Sequence, residues 1–377
     1  MNSLEIATKS LKANIIALPS GKFVSAGQNQ FLTLWTRDFC HAVRGLILVG
    51  EKDVAKNHLS YLLKSLRDDG LVPRVLDNQV VQVRVAWQSF RKLCPVLPKL
   101  AFKEPLRPQY TDEHGSHAVD SNLLVLLASL MIDDGPWWNQ HENELKKVFR
   151  WYDSQWRDGL IWQSGFSDWQ DSVKREGHTF LTNLFYFLAA TRLKKRGFEV
   201  KINLEDYKSK IHDTFFHNGL YKTMMGSEII SLEGNLFAIE VDEFLSLDEK
   251  KNLWKELLKH PLGKEALGAC SYPSYSNNDI AWHVKFARLH GYHDKLAWSW
   301  LMGLGLKVSI LMNDELKTDE QLKQIENNLD RDAVVMELYD PDKNWLPWES
   351  WLLKAEHPFA WGAGYLVEAL TLLRNKK

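Results

Sequence analysis

Trp35-Thr36-Arg37-Asp38 sets an indole, a guanidinium and a carboxylate side by side at the mouth of a helix-patterned stretch. A carboxylate accepts from two neighbouring hydroxyls, a guanidinium donates in a fixed fork, and an indole face covers an apolar C–H surface. Those three contacts suit the grip of a sugar ring. An Arg-Asp pair also suits a helix N-terminus for its own sake, because the helix dipole favours an acid there. Ser167-Asp168-Trp169-Gln170-Asp171 repeats the pairing of tryptophan with acid, and Glu337-Leu338-Tyr339-Asp340-Pro341 supplies a third acid beside an aromatic residue. Three such clusters in one chain suggest the cleavage of carbohydrate.

Hydrolysis of a glycosidic bond needs one carboxylic acid to protonate the leaving oxygen and a second carboxylate across the sugar. A separation of roughly 6.5–9.5 Å leaves room for a water and gives inversion, whereas about 5 Å makes the second group a nucleophile. Asp171 is the candidate acid: it follows Trp169 in a run of loop-type residues, and a carboxyl held against indole and away from water has a raised pKa. Asp168 is its rival, and either aspartate could instead cap a turn. Glu337 is the candidate base, with Glu349, in Trp348-Glu349-Ser350-Trp351, and Glu356 as competitors. Arg37, Asp38 and Asp120 would hold the terminal sugar, although Asp120 also stands where an N-cap belongs before an apolar helix. Trp35, Trp169 and Trp282 are the candidate stacking surfaces; Trp282-His283 follows a polar, aromatic stretch at 272–278.

These clusters must be carried by helices. Apolar residues recur at helical spacing over 4–16, 38–48, 53–66, 119–131, 142–152, 179–194, 204–216, 235–239, 247–259, 279–289, 295–310, 318–329 and 360–373. Strand signals are short, at 70–75 and 158–163, and read as hairpins in loops. The helices arrive mostly as consecutive pairs with no Gly/Ser linker and no break in composition. About twelve helices in hairpins predict an all-α fold, an (α/α)6 toroid formed by residues 1–377 as a single catalytic domain, with an open solenoid as the alternative. The stretch 78–120 reads as a long loop that forms a wall of the site.

The rest of the composition excludes other classes. A net charge of -1 offers no basic field for nucleic acid. Cys40, Cys94 and Cys270 are odd in number and lie far apart, which points to a reducing compartment and so to the cytoplasm. Residues 1–18 contain no continuous apolar run of the signal-peptide type, and no stretch approaches a membrane span of roughly 18 residues. The 13 histidines form no HExxH pair, so no metal is expected. Neither GxGxxG, GxxxxGK[ST] nor GxSxG occurs, and no cofactor is expected. Nothing in the sequence bears on oligomeric state.

Taken in order, the motifs resemble a known family. Leu11-Lys12-Ala13-Asn14, Ser25-Ala26-Gly27, Trp35-Thr36-Arg37-Asp38 and Asp69-Gly70-Leu71-Val72-Pro73 are similar to segments of the (α/α)6-toroid glycoside hydrolases. Among these, the glucosidase domain of glycogen-debranching enzymes is most similar, with the related glucoamylases and processing α-glucosidases. The resemblance implies that Arg37 and Asp38 grip the sugar at the cleavage site, that Trp169-Gln170-Asp171 carries the general acid, and that Glu337 is the late glutamate of the family. His357 to Leu366 resembles the closing helix of that family. Inversion, no metal and an α-linked, glucose-type substrate are implied as well. Gln170 stands where the family carries Met, and the 78–120 stretch is unfamiliar in it. A small oligosaccharide or disaccharide is therefore as fitting a substrate as a polymer. Three other readings share these residues: a phosphorylase with a basic anion pocket, an epimerase relying on His283 or His117, and an inactive carbohydrate-binding protein.

Overall fold

The computed structural model describes residues 2–264, 268–289 and 291–376; the other residues of the 1–377 span lie outside the described residues. Its helices are α1 (Ser3–Ala13), α2 (Thr36–Leu48), α3 (Lys52–Lys64), α4 (Val81–Leu93), α5 (Val119–Ile132), α6 (Gly135–Arg150), α7 (Phe180–Lys195) and α8 (Leu204–Phe215). They continue with α9 (Leu232–Glu240), α10 (Leu247–Lys259), α11 (Pro261–Lys264), α12 (Trp282–Phe286), α13 (Ser299–Leu311), α14 (Glu315–Asp332) and α15 (Ala360–Lys376).

Two kinds of helix alternate. Helices α5, α7, α9, α13 and α15 are buried on nearly every side, as sequences apolar all round require, and α2 is buried along most of its length. Helices α1, α3, α6, α8, α10 and α14 bury one stripe and expose the other. The buried set packs in sequence order, α2 on α5, α5 on α7, α7 on α9, α9 on α13 and α13 on α15, and α15 returns to α2. Each half-exposed helix backs one of them: α3 on α2, α6 on α5, α8 on α7, α10 on α9, α14 on α13 and α1 on α15. The first helix of the chain is therefore the partner of the last.

A relay of hydrogen bonds follows the same order. The first N–H of each buried helix donates to a carbonyl on the segment leading into the next. Thr36 donates to Arg74 (3.1 Å), Val119 to Ser167 (2.8 Å), Phe180 to Thr223 (3.0 Å), Leu232 to Cys270 (2.8 Å), Ser299 to Glu337 (3.0 Å) and Ala360 to Ala26 (2.9 Å). Helix N-termini need such acceptors, and supplying them this way gathers the linking segments on one face. Short antiparallel pairings reinforce it, such as Leu34↔Leu76 and Trp298↔Leu338.

A second device repeats within three of the helices. Asn122, Asn183 and Asn235, each in the first turn or so of its helix, clasp the backbone of Val72 and Gly70, of Ile161, and of Tyr221. Each clasped segment follows an acid or amide and a glycine: Asp69-Gly70-Leu71, Asp158-Gly159-Leu160 and Asn218-Gly219-Leu220. All three glycines have positive φ. At the second and third sites these are the turns of two-residue hairpins, where paired positive φ values suit the strand twist.

Several expectations are corrected. The 78–120 stretch is not a bare loop: it holds α4 and a strand at Arg107–Gln109. The buried Arg84 grips Asp77 through Nε (2.6 Å) and Nη2 (2.8 Å) and so pins α4 in place. The helix expected over 279–289 shrinks to α12 and backs none of the buried helices, so α13 pairs with α14 rather than with the segment before it. The strand expected at 70–75 lies at Val75–Asp77 instead. Cys40, Cys94 and Cys270 are unpaired, and no described helix is long and apolar enough to cross a membrane.

Candidate active site

The relay determines which side chains meet. Arg37, Asp38, Asp120 and Glu233 stand in the first turns of α2, α5 and α9. Arg74, Asp168–Asp171 and Glu337 stand on the linking segments whose carbonyls those N-termini hold. Buried carboxylates at helix N-termini are placed where the dipole favours negative charge.

Asp171 is the most exposed acid of the group, with 23% of its side chain accessible, and two arginines meet on it. Arg37 Nη2 and Arg74 Nη2 each donate to Asp171 Oδ2 at 2.9 Å. Burial by itself would raise this carboxyl, but the two guanidinium groups outweigh it and hold the pKa at about 2. Arg37 also donates to the Asp168 carbonyl (3.0 Å) and lies 3.8 Å from Asp120 Oδ2, while Arg74 lies 3.4 Å from Asp112 Oδ2. Two cations are thus set among Asp38, Asp112, Asp120 and Asp171. Burial raises Asp120 to about 6 and Asp38 to about 7 against the pull of Arg37. Asp120 Oδ1 is buried with no hydrogen-bond partner, an acceptor that a ligand hydroxyl would satisfy.

Glu337 has the opposite electrostatics. It is 3% exposed, and burial pushes its pKa up to about 8 although the Glu356 amide (3.0 Å to Oε2) and the Tyr292 hydroxyl (2.8 Å to Oε1) both reach it. The Tyr292 hydroxyl bonds Glu337, and the charges of Glu337, Asp171 and Asp38 add to the burial that raises its own pKa. The next residue, His293, bonds Ser172 (2.6 Å) and is held neutral by burial, its pKa down to about 3 despite Asp171. A cavity of about 180 Å³ lies beside this group, lined by Ser172, Tyr275, Tyr292, His293 and Asp294; neither Asp171 nor Glu337 lines it.

The rival acids have other partners. Asp168 is 3% exposed, ion-paired with Arg175 Nη2 (2.6 Å) and hydrogen-bonded by Gln163 (2.7 Å) and the Gln170 amide (3.0 Å), so it braces the loop that presents Asp171. Glu356 accepts from the amides of Gln28, Asn29, Phe31 and His357 and from the Asn29 side chain, which organises the 27–31 turn. Glu349 is a surface group paired with Lys92 at 3.1 Å.

The tryptophans separate by depth. Trp169 is 3% exposed; its Nε1 donates to Glu233 (3.1 Å), and its ring meets Trp298, Trp300 and Trp361 edge to face. It belongs to the floor beneath the acids and presents no open face. Trp35 is half-buried under the Arg74 guanidinium, 5.6 Å from its ring. Trp282 is 67% exposed on α12. Sequence reasoning missed Arg74, Tyr292 and Glu233. Arg74 directly follows the Val72-Pro73 already noted, whereas nothing local marks the other two. Glu233, wholly buried with its pKa raised by burial to about 7, ties Trp169 to Arg175.

No protein-family model and no curated protein matches the sequence. Solved structures do share its fold. One titled "Glycosidase Wild Type" is 13% identical with a TM-score of 0.64, over 99% of this chain and 96% of that one. The GH63 mannosylglycerate hydrolase from Thermus thermophilus, in complex with Tris and D-glycerate, is 12% identical with a TM-score of 0.63, over 98% of this chain and 100% of that one. A rhamnosidase from Klebsiella oxytoca with rhamnose bound is 13% identical with a TM-score of 0.61, over 97% of this chain and 63% of its own. At these identities, what the chain has in common with them is its architecture.

Proposed function

We propose that this chain is an inverting glycoside hydrolase on an (α/α)6 toroid, releasing a terminal, α-linked, glucose-type sugar from an oligosaccharide or disaccharide. The observation that carries the reading is the pair Asp171 and Glu337. They come from separate linking segments to one face and are held in opposite protonation states beside Arg37, Asp38 and Asp120. The fold shared with glycosidases supports it, as does the closed order of helix contacts. Asp171 acts as the acid on the leaving oxygen, Glu337 as the base on water, and Arg37, Asp38 and Asp120 hold the sugar hydroxyls. Trp282 offers an exposed indole face, and Trp35 lies half-buried beside Arg74.

The electrostatics favour a proton on Glu337 and not on Asp171. Catalysis in the proposed sense therefore requires the sugar hydroxyls to draw Arg37 and Arg74 off Asp171, which releases its pKa upward and makes it the donor. That same electrostatic order favours a second reading, with Glu337 as acid and Asp171 as base. A pH–rate profile does not separate the two, because either active form carries one proton between the two carboxyls. Water is the nucleophile of this proposal; Arg37 and Arg74 each face carboxylates, Asp120 and Asp171 for one, Asp112 and Asp171 for the other, which disfavours a phosphate between them as long as those pairs hold. Of the two histidines an epimerase would rely on, His117 is bonded to Arg67 (3.1 Å) and His283 lies beside Glu113 (3.3 Å).

Proton NMR on α-glucosides and α-glucosyl fluoride tests the assignment, because fluoride leaves without protonation. Asp171→Asn should lose the glucosides and keep the fluoride, Glu337→Gln should lose both, and wild type should first release β-glucose independently of phosphate. The reverse pattern exchanges the roles. Unchanged turnover in both variants would remove the pair from the mechanism.

A further inference from the structure

One cluster outside this chemistry has the composition of a metal site. Glu113 and His114 are adjacent on the turn before α5, and His283 comes from α12. Their donor atoms all lie within 4.8 Å of one another. Glu113 Oε1 is 3.3 Å from His283 Nδ1 and 3.9 Å from His114 Nε2. Around a tetrahedral zinc with bonds of roughly 2.0–2.1 Å, donors stand about 3.3 Å apart. The first pair already meets that spacing, and Glu113 and His114 are exposed enough to turn into it.

We propose that Glu113, His114 and His283 bind one divalent transition-metal ion of the zinc type, with the fourth position open to solvent. Two imidazoles and a carboxylate are a donor set that zinc accepts and that hard cations such as Mg2+ do not favour.

Part of the arrangement is already in place. The His114 ring stacks on Phe166 (4.0 Å between centroids, 22° between planes), and its amide donates to Asp112 Oδ1 at 2.8 Å. His283 Nδ1 is buried with no hydrogen-bond partner, although Glu113 is close by. A buried nitrogen left in that state is costly unless something takes its lone pair or its proton. One carboxylate beside two imidazoles, all three within reach of one point, is a set of donors that a cation can share.

The ion would tie α12 to the turn at 112–117. That turn carries Asp112, whose ion pair with Arg74 leads to Asp171. Metal binding would therefore brace the rim next to the candidate acid, and the inference stands whether or not the chain cleaves glycosides.

Untagged protein stripped with EDTA and titrated calorimetrically with ZnCl2 tests it, with Co2+ absorption as the spectroscopic reporter. Wild type should bind one Zn2+ per chain, gain thermal stability, and give Co2+ the visible bands of a four-coordinate ion. Both His283→Ala and Glu113→Gln should lose the stoichiometric binding and the bands, while His217→Ala, at an exposed histidine elsewhere, should keep them. Absence of stoichiometric binding in wild type, or its retention in either ligand variant, would overturn the site. Circular dichroism of Glu113→Gln, a near-isosteric surface change, guards against loss through misfolding.

Discussion

Glu337 keeps its proton to about pH 8 because burial outweighs the two donors that reach it. Glu337 accepts from the Glu356 amide on one oxygen and from the Tyr292 hydroxyl on the other. Glutamine keeps the shape and one of the two acceptors. Because the folded-state pKa lies above the unfolded value, the stability Glu337 contributes is fully present below about pH 4.3 and is lost as pH rises to about 8. Glu337→Gln removes this titration, so its stability relative to wild type should grow by about 1.4 kcal/mol per pH unit between about pH 5 and 8, then level off. Urea titrations of both proteins at several pH values measure it, and a difference independent of pH would refute the raised pKa. Asp171 shows where a local reading stops. Its neighbour Trp169 suggests a raised pKa, yet Arg74, 97 residues earlier, combines with Arg37 to drive it down. A carboxylate's charge state depends on partners that only the fold brings close.

Among the elements, the long helices were legible because their apolar spacing persists: the reading at 247–259 coincides with α10, and that at 119–131 nearly coincides with α5. At 279–289 the same criterion failed, since Trp282 and Phe286 are exposed on a five-residue helix and their apolar spacing reflects a rim rather than a core. The asparagine clasp was written in the chain as a threefold Asx-Gly-Leu, but its meaning lies in partners such as Asn183, twenty-two residues beyond Ile161. Asn183 is fully buried; it bonds both backbone groups of Ile161 and the Thr179 carbonyl, and accepts from the Tyr207 hydroxyl. Asn183→Ala leaves several buried polar groups unpartnered and should cost about 3–4 kcal/mol, each orphan contributing roughly 1–3 less whatever water recovers. Asn139→Ala, at an exposed position on α6, should stay within about 0.5 kcal/mol. Chemical denaturation of the two variants side by side checks the contrast; equal effects would mean that the clasp contributes little.

At the scale of the whole molecule, the question is whether the helix pairs stand as one cooperative unit or as a row of neighbours. An open row has two ends, and damage at one end stays local because each repeat touches only the next. Here the row has a seam instead: α1 buries Ile6, Ala7 and Leu11 and packs on α14 and α15, while the Ala360 amide donates to Ala26 ahead of α2. Leu11 is fully buried at that seam, so Leu11→Ala should cost about 2–5 kcal/mol. The far side of the contact order from α15 is α7. If the molecule unfolds as one unit, the slowest-exchanging amides of α7 should lose the same protection as those of α15, because both exchange only through the global opening. Hydrogen exchange followed by mass spectrometry on peptides spanning Phe180–Lys195 and Ala360–Lys376 measures the two together. Equal loss means that the first helix stabilises the last and, through it, every pair around the order. Loss confined to Ala360–Lys376 would mean that the seam joins two ends that each stand alone, and that the face bearing Asp171 and Glu337 is assembled from separately stable parts.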